Sequence, residues 1–205
     1  GIYDVALRYT RDARWEAYAL SHSAYGFGDT LAEARKDITE ALALLVEQPE
    51  NRIRINEYHE RLISAADEHH ADVWLRVHHD ADPNHVLSRR EIVGKLQNEP
   101  DAWGSFDNGL SLNGDIIVLA CLPDDILGDV FAQVASAHRL YLAVPYPNRL
   151  CLRRMHTNEA TGRTPESEIN IASFNLGAGS TVDDFIRVTS ADHNHDATRE
   201  EYLVA

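Results

Sequence analysis

The chain has 205 residues, of which 44% are apolar and 25% are charged, a balance typical of a globular protein with a buried core. Its 33 acidic and 19 basic side chains leave a net charge of −14 with histidine neutral. That charge disfavours nucleic acids and anionic membrane surfaces as partners, because both attract a basic face. It fits a basic protein partner, and it equally fits a charge that only keeps the protein in solution. No apolar run approaches the roughly 18 residues of a membrane span, so we expect no membrane contact.

Both cysteines, Cys121 and Cys151, lie within apolar runs, and the sequence contains no Cys-x-x-Cys pair. This pattern predicts two buried thiols rather than a disulfide framework, and it favours a reducing compartment. We therefore expect a cytoplasmic protein.

The first 28 residues alternate apolar and polar side chains in two runs that are joined by a polar turn. Residues 2–9 and 15–20 each show the two-residue period of a half-buried strand, and together they predict a hairpin. A short extended piece over residues 24–27 follows. We expect these three segments to form one antiparallel sheet.

Residues 30–47 show the spacing of an amphipathic helix. Leu31, Ile38 and Leu45 lie on one apolar stripe, which we expect to face the sheet. Thr30 and Glu33 form a Thr-x-x-Glu capping box, in which each side chain accepts a hydrogen bond from a backbone amide at the helix start.

The "GFG" stretch at residues 26–28 raises the question of a phosphate site at this helix start. A phosphate needs free amides and a nearby cation, whereas the capping box occupies the amides and Asp29 adds a negative charge. We therefore interpret Gly26 and Gly28 as a turn that lets the chain enter the helix.

This succession of short strands and a capped helix resembles the N-terminal domain of HicB-like antitoxins over about residues 1–48. The resemblance rests on an aromatic-rich opening and a Gly-Asp-Thr-Leu-x-Glu-Ala segment, here carried by Tyr3, Trp15, Gly28, Asp29, Thr30, Leu31, Glu33 and Ala34. It implies a partial ribonuclease-H-like fold without its active site. It also implies a role in binding and blocking a small basic ribonuclease toxin.

The rest of the chain predicts a mixture of helices and strands. Helices are expected over residues 55–70, 88–97 and 124–139, and strands over 72–79, 115–123, 140–146, 149–155 and 169–175. The segment 115–139 with the strand after it predicts a strand–helix–strand unit, and residues 181–188 fit either a helix or a strand.

A glycine-rich stretch over residues 99–114 predicts a boundary within the chain. We expect an α+β fold with two units, a HicB-like unit with a helical and strand extension over residues 1–98 and a mixed α/β unit over residues 110–205. The first unit contains the three strands and helix that resemble the antitoxin domain.

Histidines and carboxylates are the candidates for chemistry. His78, His79 and His85 are weak candidates for a metal site, since zinc needs three or four converging ligands and two adjacent residues of a strand face opposite sides. The paired aspartates at predicted helix starts are interpreted as helix caps. We expect no cofactor and assign no catalytic residue.

The sequence as a whole favours a non-enzymatic binding protein, antitoxin-like or immunity-like, that sequesters a small basic protein such as a ribonuclease toxin. Its contacts are expected on the exposed strand edge and the first helix, at Glu16, Tyr18, Glu33, Asp37 and Glu40. One alternative is a metal-dependent hydrolase or nuclease that uses the histidine cluster. Another is a structural or regulatory subunit of a bacterial complex, and assembly into a homo-oligomer is also left open.

Overall fold

A computed structural model of the protein describes residues 1–64, 72–78, 87–98, 116–132, 139–147, 149–155, 175–177 and 179–191. These residues form eight strands and four α-helices, and Glu50–Arg52 form a short 3₁₀ helix. The strands and α-helices are β1 (Ile2–Tyr9), β2 (Trp15–Ala19), β3 (Tyr25–Gly28), α1 (Leu31–Leu45), β4 (Arg54–Ser64), β5 (Val73–His78), α2 (Arg89–Asn98), β6 (Ile116–Ala120), α3 (Leu127–Ala132), β7 (Arg139–Tyr146), β8 (Arg149–Met155) and α4 (Val182–Ala191).

All eight strands belong to one mixed sheet in the order β3-β2-β1-β4-β5-β6-β7-β8. Three neighbouring pairs are parallel, β1 with β4, β5 with β6 and β6 with β7, and the other pairs are antiparallel. The α+β class is confirmed, and so is the strand–helix–strand unit, which is β6, α3 and β7. The boundary predicted between residues 98 and 110 falls outside the described residues and stays a prediction, although the sheet itself continues from β4 into β5.

Residues 55–70 were expected to form a helix, and that prediction is wrong for the described part, because residues 54–64 form β4. Tyr58 and Leu62, whose spacing fitted one face of a helix, lie instead on the same face of this strand. Tyr58 is buried on one face, and Ile55 and Ile63 pack on the other. Pairing with β1 on one side and β5 on the other overrides the local pattern. Most of the strand predicted over residues 169–175 lies outside the described residues, and residues 182–191 are helical.

Helices cover both faces of the sheet. Leu7 on β1 pairs with His59, which pairs with Val77 on β5, so these three side chains point to one face. Leu7 packs under α1 and Val77 under α2, which places both helices on that face. α3 and α4 pack on the opposite face, against a cluster that includes Trp74 and Ile117.

Both cysteines lie in the layer between the sheet and helices α3 and α4. Cys121 and Cys151 are buried free thiols, as the apolar runs predicted. Burial raises the pKa of the Cys121 thiol well above its ordinary value, so this side chain stays protonated.

The core stripe of α1 differs from the expected one in its last turn. Ile38 is fully buried and Leu31 packs at the edge of the cluster, as predicted, but Leu45 is 49% exposed. Leu42 and the C-cap residue Val46 close the stripe in its place. The capping box is present, with the Glu33 amide donating to Thr30 Oγ1 over 3.2 Å and the Thr30 amide donating to Glu33 Oε2 over 3.1 Å.

The glycines of the "GFG" stretch lie in strand β3 and do not form the turn that was expected. A Cβ atom on Gly26 would stand 2.4 Å from the backbone nitrogen of Ile38, and one on Gly28 would stand 2.6 Å from that of Ala34. Any side chain at these positions would therefore push α1 away from the sheet. The two glycines allow the helix to lie directly on the backbone of the edge strand.

Gly26→Ala should lower the free energy of unfolding by about 1–3 kcal/mol, because the nearest obstacle is helix backbone that cannot rotate away. Gly94→Ala in α2 is the matched control. Beyond its chain neighbours and its own helix backbone, no atom of the described residues lies within 4 Å of its added methyl group, so the change should stabilise the helix by about 0.5–1 kcal/mol. Urea unfolding of both variants measures the contrast, and equal effects of the two changes would contradict the close-packing role.

Candidate functional site

A row of alternating charges crosses four neighbouring strands on the sheet face opposite α1. Glu16 on β2 pairs in register with Arg8 on β1, Arg8 with Glu60 on β4, and Glu60 with Arg76 on β5. The sheet therefore brings together side chains from Arg8 to Arg76, which are 68 residues apart in the sequence. We call this row with its polar neighbours the polar face, which comprises Asp4, Arg8, Glu16, Tyr18, Asn56, Tyr58, Glu60, Arg76 and His78.

The inner part of the polar face is a buried group of Arg76, Glu60 and Tyr18, in which the opposite charges of Arg76 and Glu60 offset each other. The side chains of Arg76 and Glu60 are 1% and 0% exposed, and their nearest nitrogen and oxygen are 3.6 Å apart. Arg76 also donates to the Tyr18 hydroxyl over 2.8 Å, and that hydroxyl donates to Glu60. Burial lowers the pKa of the Arg76 guanidinium, while the charge of Glu60 and its hydrogen bond act to raise it.

Arg8 links this group to the rest of the sheet. Its Nε donates to Glu16 over 3.0 Å, and its guanidinium carbon lies 4.6 Å from the ring centre of Trp74 and 5.7 Å from that of Tyr18. These contacts join β2, β1 and β5 through cation–π and ionic interactions. Within the row Arg8 pairs with Glu16 and Arg76 with Glu60, so each ion pair ties two neighbouring strands together.

A series of hydrogen-bonded polar side chains lies beside the charged row. Asn56 Nδ2 donates to Asp4 Oδ1 over 2.7 Å and lies 3.1 Å from the Tyr58 hydroxyl, and Asn56 Oδ1 lies 3.2 Å from His78 Nε2. Burial and the charge of Asp4 raise the pKa of Tyr58 to about 12. The phenol is therefore neutral at physiological pH and offers no activated nucleophile.

The described residues hold no group of three side chains suited to binding a metal ion. His78 lies edge-on to the Tyr58 ring, 5.3 Å between ring centres, and contacts the Asn56 amide. His79 and His85 lie outside the described residues, so their part in a metal site is untested.

A different surface is exposed at the edge of the sheet. Within the described residues β3 has a strand on only one side, and its aromatic side chains Tyr25 and Phe27 are 64% and 48% exposed. Asp37 on α1 accepts a hydrogen bond of 2.8 Å from the Phe27 amide, and Glu33 accepts one of 2.9 Å from the Asp29 amide. We call this strand edge with the adjacent turn of α1 the β3–α1 surface, which comprises Tyr25, Phe27, Asp29, Glu33 and Asp37.

The expected partner-binding residues divide between the polar face and α1. Glu16 and Tyr18 lie on the polar face, where Tyr18 is only 9% exposed. Glu33, Asp37 and Glu40 lie on α1, on the other side of the sheet, and Glu40 forms an exposed pair of 3.3 Å with Lys36. The structure therefore brings Glu33 and Asp37 to one surface and does not bring Tyr18 to it.

The sequence interpretation missed Tyr25 and Phe27 as surface aromatics. The alternation of aromatic residues with glycine in "YGFG" was the available signal, because it places two large side chains on one face of a strand and nothing on the other. The charged row was missed too, although Arg76 stands out as a charge between the apolar neighbours Leu75 and Val77 of β5.

An ion pair fixes α1 to strand β4 in the interior of the sheet. Arg35 donates from Nε and Nη2 to the two carboxylate oxygens of Glu57 on β4, each over 2.7 Å, and His59 lies 3.4 Å from the same carboxylate. Burial raises the pKa of the Glu57 carboxyl, but the Arg35 hydrogen bonds and the neighbouring positive charges outweigh burial, so the net shift is downward.

Arg35→Gln should remove a pH-dependent part of the stability. Because the folded pKa of Glu57 lies below its unfolded value of about 4.3, the pair's contribution is full above that value and is lost as the pH falls through the folded pKa. We expect a loss of about 1 kcal/mol at pH 7, since the Arg35 side chain is 41% exposed and partly screened by water, and no loss at low pH. Unfolding measured across pH checks this, with Lys36→Gln at the exposed pair to Glu40 as control. Parallel pH profiles of Arg35→Gln and the unmodified protein would contradict it.

In the described residues no helix is long and apolar enough to cross a membrane. No protein-family model, curated protein or solved structure matches the chain. The resemblance to HicB-like antitoxins over about residues 1–48 therefore rests on the sequence alone.

Proposed function

We propose that this protein is a non-enzymatic, antitoxin-like or immunity-like binding protein that sequesters a small basic protein such as a ribonuclease toxin. The β3–α1 surface carries the proposal, because it joins exposed Tyr25 and Phe27 to the carboxylates of Asp29, Glu33 and Asp37. Exposed aromatic side chains are typical anchors of protein interfaces, and surrounding carboxylates attract a cationic partner.

Two further observations support a binding role. The net charge of −14 gives the protein a field that accelerates encounter with a cationic protein. The buried ionisable groups of the polar face are compensated by one another, which suits a scaffold better than a reaction centre.

The free, buried thiols fit a protein that works in the cytoplasm.

Phe27→Ala should weaken binding of the basic partner about tenfold to thirtyfold, because truncation of an interface anchor costs about 1.4–2 kcal/mol or more. The partner is first recovered with the unmodified protein from the native host, and its affinity and association rate are then measured across a salt series. Tyr9→Ala is the control, since Tyr9 is equally exposed at 50% but lies at the end of β1, outside the β3–α1 surface.

An association rate that does not fall with added salt would count against electrostatic attraction. Recovery of acidic proteins or nucleic acid alone would overturn the proposed function. Metal analysis of the purified protein separates it from the alternative of a metal-dependent hydrolase, which requires a stoichiometric ion.

A further inference from the structure

We propose that β3 receives an extended segment of the basic partner as an added antiparallel strand, and that this segment alternates basic and apolar side chains. The inference rests on the proposed function and specifies how the β3–α1 surface recognises its partner. Strand addition to a sheet edge obtains affinity from backbone hydrogen bonds and specificity from alternate side chains.

The backbone of β3 has the required outward groups. The Phe27 amide donates to Asp37, so it does not bond to Glu16, its register partner on β2. Hydrogen-bonded and non-bonded pairs alternate in an antiparallel ladder, so Tyr25, two residues earlier, is likewise a non-bonded pair with Tyr18. The amide and carbonyl of Tyr25 and the carbonyl of Phe27 therefore point away from the sheet, towards the position of an added strand.

The two faces of this edge differ in chemistry. Tyr25 and Phe27 project from the face opposite α1, because they are paired with Tyr18 and Glu16 of the polar face. The glycines between them open the other face to α1, where Asp37 and Glu33 lie. Successive side chains of an added strand would meet aromatic rings and carboxylates in turn, which selects a segment with apolar residues on one side and lysine or arginine on the other.

Asp37 has two parts in this scheme. In the unbound protein its carboxylate satisfies the Phe27 amide, which keeps one outward donor of the edge occupied. A basic side chain of the incoming segment can engage the carboxylate while a carbonyl of the same segment takes over the amide. A second copy of this chain is disfavoured as the occupant, since it would bring a further charge of −14 and another set of carboxylates to the edge.

The test uses synthetic octapeptides and the full chain. The probe alternates arginine and valine, and its counterpart alternates glutamate and valine. Titration followed by amide NMR should show the Tyr25 and Phe27 amides shifting with the arginine peptide and not with the glutamate peptide.

Tyr25→Pro and Tyr25→Ala form the matched pair, because both remove the ring and only proline removes the outward amide. An edge strand accommodates such a proline. We expect the proline variant to bind the arginine peptide about tenfold more weakly than the alanine variant.

Backbone methylation of the peptide provides a second measurement that holds even if the proline variant fails to fold. Valines opposite Tyr25 and Phe27 direct their amides towards β3, whereas the arginine amides point away. Methylation of the valine amides should abolish binding, and methylation of the arginine amides should leave it unchanged.

Equal affinities of the two methylated peptides, or of the two Tyr25 variants, would overturn strand addition while leaving the proposed basic partner in place. Failure of the arginine peptide to bind would overturn strand addition at this edge. Failure to recover any basic protein from the host would overturn the proposed function instead.

Discussion

Arg76→Ala should lower the free energy of unfolding by about 3–5 kcal/mol, the largest effect that we expect from a single charged residue in this protein. Removal of the guanidinium leaves the carboxylate of Glu60, whose side chain is 0% exposed, without its buried cation. The Tyr18 hydroxyl also loses its donor at 2.8 Å. An uncompensated buried charge is costly, because the protein interior solvates it far less well than water does.

The triple variant Arg76→Met, Glu60→Leu and Tyr18→Phe is the control for this prediction. It removes the charges and the hydroxyl together while keeping similar side-chain volumes, so it should recover about 2 kcal/mol or more of the loss. Urea unfolding of the single and triple variants gives both values. If the free energy of unfolding of Arg76→Ala lay within about 1 kcal/mol of that of the unmodified protein, the pair of Arg76 and Glu60 would not be buried as described.

Ile38→Ala should lower the free energy of unfolding by about 2–5 kcal/mol, and Leu42→Ala should have a similar effect. Both side chains are fully buried between α1 and the sheet, where the strand beneath contributes Gly26, a residue without a side chain that could fill the space. The vacated volume would therefore remain as a cavity. We expect α1 to loosen over the edge strand as well.

Leu44→Ala serves as the matched control for the α1 substitutions, because it makes the same chemical change two residues from Leu42 at a side chain that is 81% exposed. Its effect should stay within about 0.5 kcal/mol. Amide hydrogen exchange can be followed in parallel. Exchange of the β3 amides should become faster in Ile38→Ala and should stay unchanged in Leu44→Ala. A comparable loss of stability in Leu44→Ala and Leu42→Ala would contradict the described packing of α1.

Features that depend on neighbours in the sequence could be predicted. The capping box of Thr30 and Glu33 needs only three residues of spacing, and the helix that it begins was recognised with its buried Ile38. The strand–helix–strand unit of β6, α3 and β7 was also recognisable, because a continuous apolar run indicates a strand covered on both faces.

Features that depend on pairing between distant strands could not be predicted in the same way. Residues 54–64 have apolar spacings that fit a helix, and only their position between β1 and β5 makes them a strand. The charged row has the same origin, since the register that aligns Arg8, Glu60 and Arg76 exists only in the assembled sheet. Tyr25 is exposed because β3 is the outermost strand of the sheet among the described residues. The local alternation of residues does not reveal that position.

The location of the two cysteines gives the protein a natural chemical reporter. Both thiols of the chain lie on the α3 and α4 side of β6 to β8, and neither lies beneath α1 or α2. Because both thiols are buried, a thiol reagent reaches Cys121 or Cys151 after a local opening of this half of the sheet, and the modification rate then reports the free energy of that opening. Unfolding confined to α1 and the first three strands would leave the reaction unchanged. Thiol labelling without any engineered probe therefore distinguishes loosening of one half of the sheet from loosening of the other.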